Sequence, residues 1–170
     1  EAPAEETPAA TSETETTTAS KDIKVGFIFL HDENSTYDLN FINAAKAACA
    51  EVGLSDDQVM MKTNISESQA CYDAAAELVD AGCDLIITDS FGHESFALAA
   101  AKEFPEVHFV SCTGVKAHTE GLSNFHNAFA SIYEGRYLAG VAAGLKLNEM
   151  IENGDITAEE AKMGYVGAFP

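Results

Sequence analysis

Apolar residues recur along the chain in two alternating rhythms, and their order predicts the architecture. Residues 23–30 (IKVGFIFL) form a near-continuous apolar run rich in β-formers, the pattern of a strand buried on both faces of a parallel sheet. The stretch 41–52 carries apolar residues at 41, 42, 45, 48, 49 and 52, which is helical spacing. A short second strand is predicted at 58–63. Ser66-Glu67-Ser68-Gln69 reads as a capping box that opens a helix closed by Gly82. A third strand at 84–88 (DLIIT) leads to a helix from His93 to Glu103, stopped before Pro105, and a fourth strand follows at 107–112. An extended piece at 125–129 precedes a long helix from Tyr133 to Met150. Thr157-Ala158-Glu159-Glu160 caps a further short helix, and 163–169 (MGYVGAF) begins another strand. Strands alternating with helices predict an α/β fold, a three-layer α/β/α domain around a mostly parallel sheet.

Residues 1–22 lack either rhythm. They hold six acids against one Lys, six Thr, and no aliphatic side chain larger than Ala, a composition that predicts a disordered acidic linker. The expected organisation is therefore a linker at 1–22, a ligand-binding lobe at 23–162, and the start of a second lobe at 163–170. A tether of this composition is typical of the segment after the acylated Cys of a bacterial lipoprotein, which would put a lipid anchor upstream of residue 1. An arbitrary chain boundary is the other reading.

Charge narrows the partners. The chain has 28 acidic and 9 basic residues, a net charge of −19. Nucleic acid is an improbable partner, because binding it rests on Lys and Arg releasing condensed counterions; an anionic membrane surface is disfavoured for the same reason. No run reaches the ~20 apolar residues of a spanning helix. Cys49, Cys71, Cys83 and Cys112 show no CxxC pair and no His at ligand spacing, which favours buried free thiols over a zinc site or disulfides.

In open parallel sheets, ligands bind beyond the carboxyl ends of the strands. Three loops lie there: His31 to Asn40, Asp89 to His93, and Thr113 to Lys116. They offer carboxylates and amides for hydroxyls and ring nitrogens, and aromatic faces (Tyr37, Phe41, Phe91) for planar groups. That mixture suits an uncharged polar small molecule with a flat part. Other readings of the same residues stand beside this one. His31-Asp32-Glu33 could bind a metal, although consecutive residues leaving a strand point alternately. Asp32 and Asp38 could be an acid/base pair, or Asp38 an N-cap. Phe41 could be ordinary core. No G-x-S-x-G, G-x-G-x-x-G or P-loop pattern occurs, so neither a nucleophile elbow nor a cofactor cradle is expected.

The loop from Asp32 to Phe41 aligns without a gap on D-x-G-G-x-x-D-x-S-F, matching at Asp32, Asp38 and Phe41 but not at its glycines, which are Asn34 and Ser35. The stretch 84–92 (DLIITDSFG) carries a T-x-S-F-G loop, and 102–109 (KEFPEVHF), 112–114 (CTG), 132–140 (IYEGRYLAG) and 164–170 (GYVGAFP) come after it in order. In these motifs, across nearly all of 23–170, the chain resembles the basic-membrane-protein (BMP, PnrA-like) family of substrate-binding lipoproteins, which serve ABC importers of purine nucleosides and related compounds.

The resemblance implies a lobe of a type 1 periplasmic-binding-protein-like receptor, lipid-anchored outside the cell, that closes on its ligand and delivers it to a transporter permease. It implies that an aromatic at Phe41 stacks on the base, and that Asp32, Asp38, Ser90, Phe91 and Gly92 line the pocket. With the neighbouring loop residues Ser35, Tyr37, Thr113 and Gly114, these are the expected ligand-binding residues. Nucleoside binders of the family usually place an Asp where this chain has Thr113, which weakens the case for ribose recognition. A related branch that takes free purines often has a Trp near Ser35, which leaves stacking here to Tyr37 or Phe41. The expected activity is reversible capture without catalysis. The alternatives are a nucleoside-processing hydrolase using Asp32 or Asp38, and a surface lipoprotein that senses its ligand without transport.

Overall fold

A computed structural model describes residues 22–167; the linker expected at 1–22 lies outside that range except for Asp22, as do the last residues of the strand expected at 163–169. Packing divides the described chain between Phe129 and Ala130 into two units.

The first unit runs β1 (Val25–Ile28), α1 (Thr36–Glu51), β2 (Val59–Lys62), α2 (Gln69–Asp80), β3 (Leu85–Thr88), α3 (Glu94–Glu103), β4 (His108–Cys112), α4 (Ala117–Glu120) and β5 (Phe125–Ala128). All five strands are parallel, in the order β2-β1-β3-β4-β5. The sheet has a core on each face. Val25, Phe27 and Phe29 point to one side, where they pack with Ile42, Ala45 and Cys49 of α1. Ile28 and Ile86 point to the other, against Cys71 and Leu78 of α2 and Ala97 and Ala101 of α3. That is the predicted three-layer arrangement, and the near-continuous apolar character of β1 is its cause: both faces of the strand are covered. Each fully buried large side chain, such as Leu78 or Phe109, contributes roughly 1.5–3 kcal/mol. The four cysteines are free, three of them buried. No helix among the described residues is long and apolar enough to cross a membrane.

Most of the predicted elements recur, with these differences. Helix α1 begins at Thr36, ahead of the apolar run, because its first turn is the polar edge of a loop and shows no hydrophobic period. Its N-cap is Ser35, whose hydroxyl accepts from the Asp38 N–H at 3.3 Å, so Asp38 is not the cap. The capping box read at Ser66 does not form: Ser68 caps α2 through the Ala70 N–H at 3.3 Å, and Ser66 bonds the Ser68 hydroxyl at 2.7 Å. In the second unit, α5 (Ile132–Glu152) is longer than predicted. There the helix expected after Thr157 does not form: Glu160 accepts from the Thr157 N–H at 2.9 Å and hydroxyl at 3.0 Å and closes a turn. Residues 163–167 form no strand. A strand needs a hydrogen-bonded neighbour, and the described residues of this unit supply none.

One buried amide ties the first unit together near β5. The Asn124 side chain, 5% exposed, donates from Nδ2 to the carbonyls of Ala101 (2.9 Å), Phe104 (3.1 Å) and Val107 (2.9 Å). It thereby fixes the end of α3 and the approach to β4 and β5. Asn124→Ala would strand those carbonyls and should cost about 2–3 kcal/mol of stability, read as a lower urea midpoint at unchanged slope.

Candidate functional site

The chain passes from β1 to β2 on one side and then to β3 on the other, so the strand order reverses between β1 and β3, where loops diverge and leave a crevice. The strands are in level register there: Ile28 pairs with Thr88, and Thr88 with Ser111. The loops leaving β1, β3 and β4 are the three expected to bind.

The first loop is built around Asp38. Its carboxylate is fully buried; Oδ1 accepts from the His31 N–H at 2.8 Å, and Oδ2 accepts from the Ser35 hydroxyl at 2.6 Å and lies 3.1 Å from His31 Nδ1. Burial alone would raise its pKa, but these donors outweigh burial and bring it down to about 2. Asp38 therefore acts as the loop's internal anchor. Asp32 is likewise engaged in its own turn: Oδ1 accepts from the Asn34 N–H (3.0 Å) and amide (2.9 Å), and Oδ2 from Asn64 (3.2 Å). These bonds, the Asn34 N–H first, hold its carboxyl below the usual range.

Helix α1 then presents Tyr37 and Phe41 one turn apart, ring centroids 5.0 Å apart and tilted by 47°. The Tyr37 hydroxyl donates to the Asp89 carbonyl at 3.1 Å, which draws the ring over the end of β3. Burial raises the Tyr37 pKa, with the neighbouring Thr113 side chain pulling the other way. Nearly half of the Tyr37 surface stays open to solvent (48%), as does that of Phe91 (47%). Beside the pair, a trench of about 240 Å³ opens between α1 and the sheet, lined by Phe27, Phe29, Phe41, Ile87 and Asp89. A larger groove of about 420 Å³, bordered by Lys46, Leu54 and Met61, lies on the α1/β2 side and touches none of the expected binding residues. The smaller trench is the one that runs from Phe41 to Asp89 at the end of β3.

Two glutamates absent from the sequence expectations hold the other loops. Glu67 reaches from the loop before α2 to the loop after β3, accepting from the Ser90 hydroxyl at 2.5 Å and the Gly92 N–H at 2.9 Å. The Ser90 hydroxyl holds the Glu67 carboxyl below its usual range. Glu94, only 3% exposed, accepts from the N–H groups of Val115 and Lys116, each at 2.6 Å, and from the Asn127 amide at 3.1 Å. It fixes the Thr113–Gly114 turn, in which Thr113 adopts φ +64°. No local pattern in the sequence signals either contact. Each joins residues 21–33 positions apart, and a glutamate near a helix start reads as ordinary capping.

Of the expected residues, the structure gathers Ser35, Tyr37, Asp38, Phe41 and Thr113 around the end of β3. Ser90 and Gly92 are drawn to Glu67, Gly114 to Glu94, and Asp32 to its own turn. No group of three His, Cys, Asp or Glu among the described residues is arranged to hold a metal.

The two glycines answer differently to substitution. A Cβ on Gly92 would overlap the Glu67 carboxyl, and one on Gly114 would overlap Glu94 and the Asn127 amide. Glu67 is exposed and can swing aside, whereas Glu94 is buried and held by three donors. Gly114→Ala should therefore destabilise by about 1–3 kcal/mol, in the range of an overpacked core. Gly92→Ala should cost distinctly less, because the exposed Glu67 side chain can move away; paired urea unfolding curves measure the difference.

Comparison with known proteins agrees with this architecture. A purine-binding protein of Brucella abortus is 30% identical over 155 residues, covering 89% of this chain and 39% of that protein. A Haloferax volcanii protein named as an ABC transporter glucose-binding protein is 30% identical over 105 residues, 62% of this chain and 22% of its own length. The chain thus spans well under half the length of either relative. The solved structure of an ABC transporter solute-binding protein from Conexibacter woesei shares the fold, with a TM-score of 0.52 at 20% identity over 63% of this chain and 35% of that one. Residues 26–161 match the model of the PnrA-like ABC transporter substrate-binding proteins (Bmp), a family of binding proteins and not of enzymes, and to that family this chain belongs.

Proposed function

We propose that this chain forms part of an extracytoplasmic substrate-binding protein of an ABC importer that reversibly captures a purine base or nucleoside between two lobes, residues 163–170 entering the second. The observation that carries the reading is the Tyr37–Phe41 pair at the topological switch point, Tyr37 half-open to solvent and Phe41 lining an apolar trench that reaches Asp89. A flat heteroaromatic ring stacks on such a pair and finds polar groups for its edge. The name of the Brucella relative supports a purine. On this reading the captured ligand is handed to a transporter permease, and a lipid anchor upstream of residue 1 keeps the receptor at the membrane.

The hydrolase alternative fares poorly on geometry. Asp38 is fully buried, accepts from the His31 N–H and the Ser35 hydroxyl and is held at about pKa 2, which makes it a weak base out of reach of bulk water. Asp32 is similarly engaged. Sensing without transport uses the same capture chemistry and differs only in the fate of the bound complex.

A thermal-shift titration of the protein carrying both lobes, against adenine, adenosine, sugars and amino acids, tests the ligand class, because a bound ligand raises the melting temperature by mass action. Stabilisation by purines alone, recovered unaltered, is the expected result. A response to sugars alone would sink the purine reading and favour the class in the Haloferax protein's name. Phe41→Ala should weaken purine binding by roughly 5- to 150-fold, the range for loss of one base–aromatic stack of about 1–3 kcal/mol, measured by calorimetric titration.

A further inference from the structure

Asp89 follows the last residue of β3 and lines the trench; it heads the second candidate loop but is not among the expected ligand-binding residues. Its carboxyl is 2% exposed. The donors around it are too few. Oδ1 accepts from the Leu30 N–H at 3.1 Å, but no donor among the described residues reaches Oδ2. The carboxyl within hydrogen-bonding reach is that of Asp38, on a different element and also buried. Two buried carboxylates in contact cannot both be ionised without a cation between them. No Lys or Arg among the described residues pairs with either. His93 does not substitute: its Nδ1 stands 3.9 Å from Asp89 Oδ1, too far for a hydrogen bond, and burial disfavours its charged form.

We propose that Asp38 and Asp89 share a single proton, carried by Asp89 and donated to Asp38, and that this bond latches the start of α1 to the end of β3 and so positions Tyr37 and Phe41. The assignment rests on the lone pairs. Asp38 already receives the His31 N–H and the Ser35 hydroxyl and is the better acceptor, while Asp89 Oδ2 is the oxygen with an unfilled valence for hydrogen. The bond runs parallel to the one from the Tyr37 hydroxyl to the Asp89 carbonyl, so two contacts tie the same helix turn to the same residue. Burial, and then the hydrogen bond with Asp38, accordingly raise Asp89 to about 7, whereas Asp38 stays low.

The latch gives the pH response a definite sign. A carboxyl whose folded pKa lies above its unfolded value binds its proton more tightly when folded. Its contribution is full below the unfolded pKa and is lost as pH rises towards the folded one, here from about 4 to about 7. The titratable groups facing the pair are His31 in the first loop, Tyr37 on α1, His93 after β3, Cys71 on α2 and Cys112 on β4. Of these His31 is the nearest ring to the pair, its Nδ1 lying 3.1 Å from Asp38 Oδ2, and its substitution is the control.

Carbon-13 NMR titration of the full chain with labelled aspartate side chains reads the proton directly, without a ligand. The expected result is one aspartate titrating near pH 7 that disappears in Asp89→Asn, an isosteric change whose amide donates permanently to Asp38. In parallel, the melting temperature should fall between pH 5 and 8 in the native chain and in His31→Asn, but not in Asp89→Asn. An Asp89 signal titrating in the ordinary range near pH 4, or a fall that vanishes with His31→Asn and persists in Asp89→Asn, would overturn the proposal. The consequence for capture rests on the purine reading: adenine should bind less tightly at pH 8.5 than at pH 5.5 in the native two-lobed protein and equally at both in Asp89→Asn. Absence of adenine binding at every pH, with the NMR signal as expected, would refute the ligand and leave the latch standing.

Discussion

Three carboxyl groups are buried where the parallel strands end, and among the described residues no lysine or arginine is paired with them. Everything distinctive about the site descends from that constraint. A buried carboxylate without a cation must be surrounded by N–H and O–H donors or must hold a proton. Asp38 takes the first course with Ser35 and His31, and Glu94 takes it with Val115, Lys116 and Asn127. Asp89, with fewer donors than acceptor positions, is left with the second. Each solution recruits backbone from a neighbouring loop, so satisfying the charge and shaping the crevice are the same event.

The parallel sheet explains why those loops meet at all. Level register brings Ile28, Thr88 and Ser111 to a common edge, and the reversal of strand order beside β1 opens a crevice that a helix cannot fill. The open aromatic pair, the trench and the three tied loops share that edge. Such a site is suited to holding a flat ligand by shape and a few polar contacts, in keeping with membership of a family that captures and releases.

Strands and helices of the first unit are legible in the chain because both faces of β1 and β3 are covered, which leaves an apolar run, because 41–52 carries a helical period, and because Gly82 and Pro105 mark where α2 and α3 stop. Contacts distant in sequence decide the rest. Ser35 and Asp38 both look like caps, and only the approach of His31 makes Asp38 an anchor. Ser66 heads a capping-box pattern, yet Ser68 is the residue that caps α2. Glu94 looks like a helix-start acid, although it holds a loop 21–22 positions further on. The strand read at 163–169 has a strand's composition, yet residues 163–167 are irregular because pairing, which composition does not encode, is missing. Loop identity is legible; which atoms the loops use on one another is not.

The unequal anchoring of the two glutamate-bound loops has a consequence for how this crevice can change over generations. Glu67 is solvent-facing, and its side chain has room to swing away from the loop it holds around Phe91. Glu94 is sealed within the fold, and the turn it holds is shared with the packing of β5. Substitutions that retune selectivity can accumulate on the first wall at little cost to foldability. The second behaves as an inherited mould, and a lineage that needs a different ligand will sooner rewrite the loop after β3 than the one after β4.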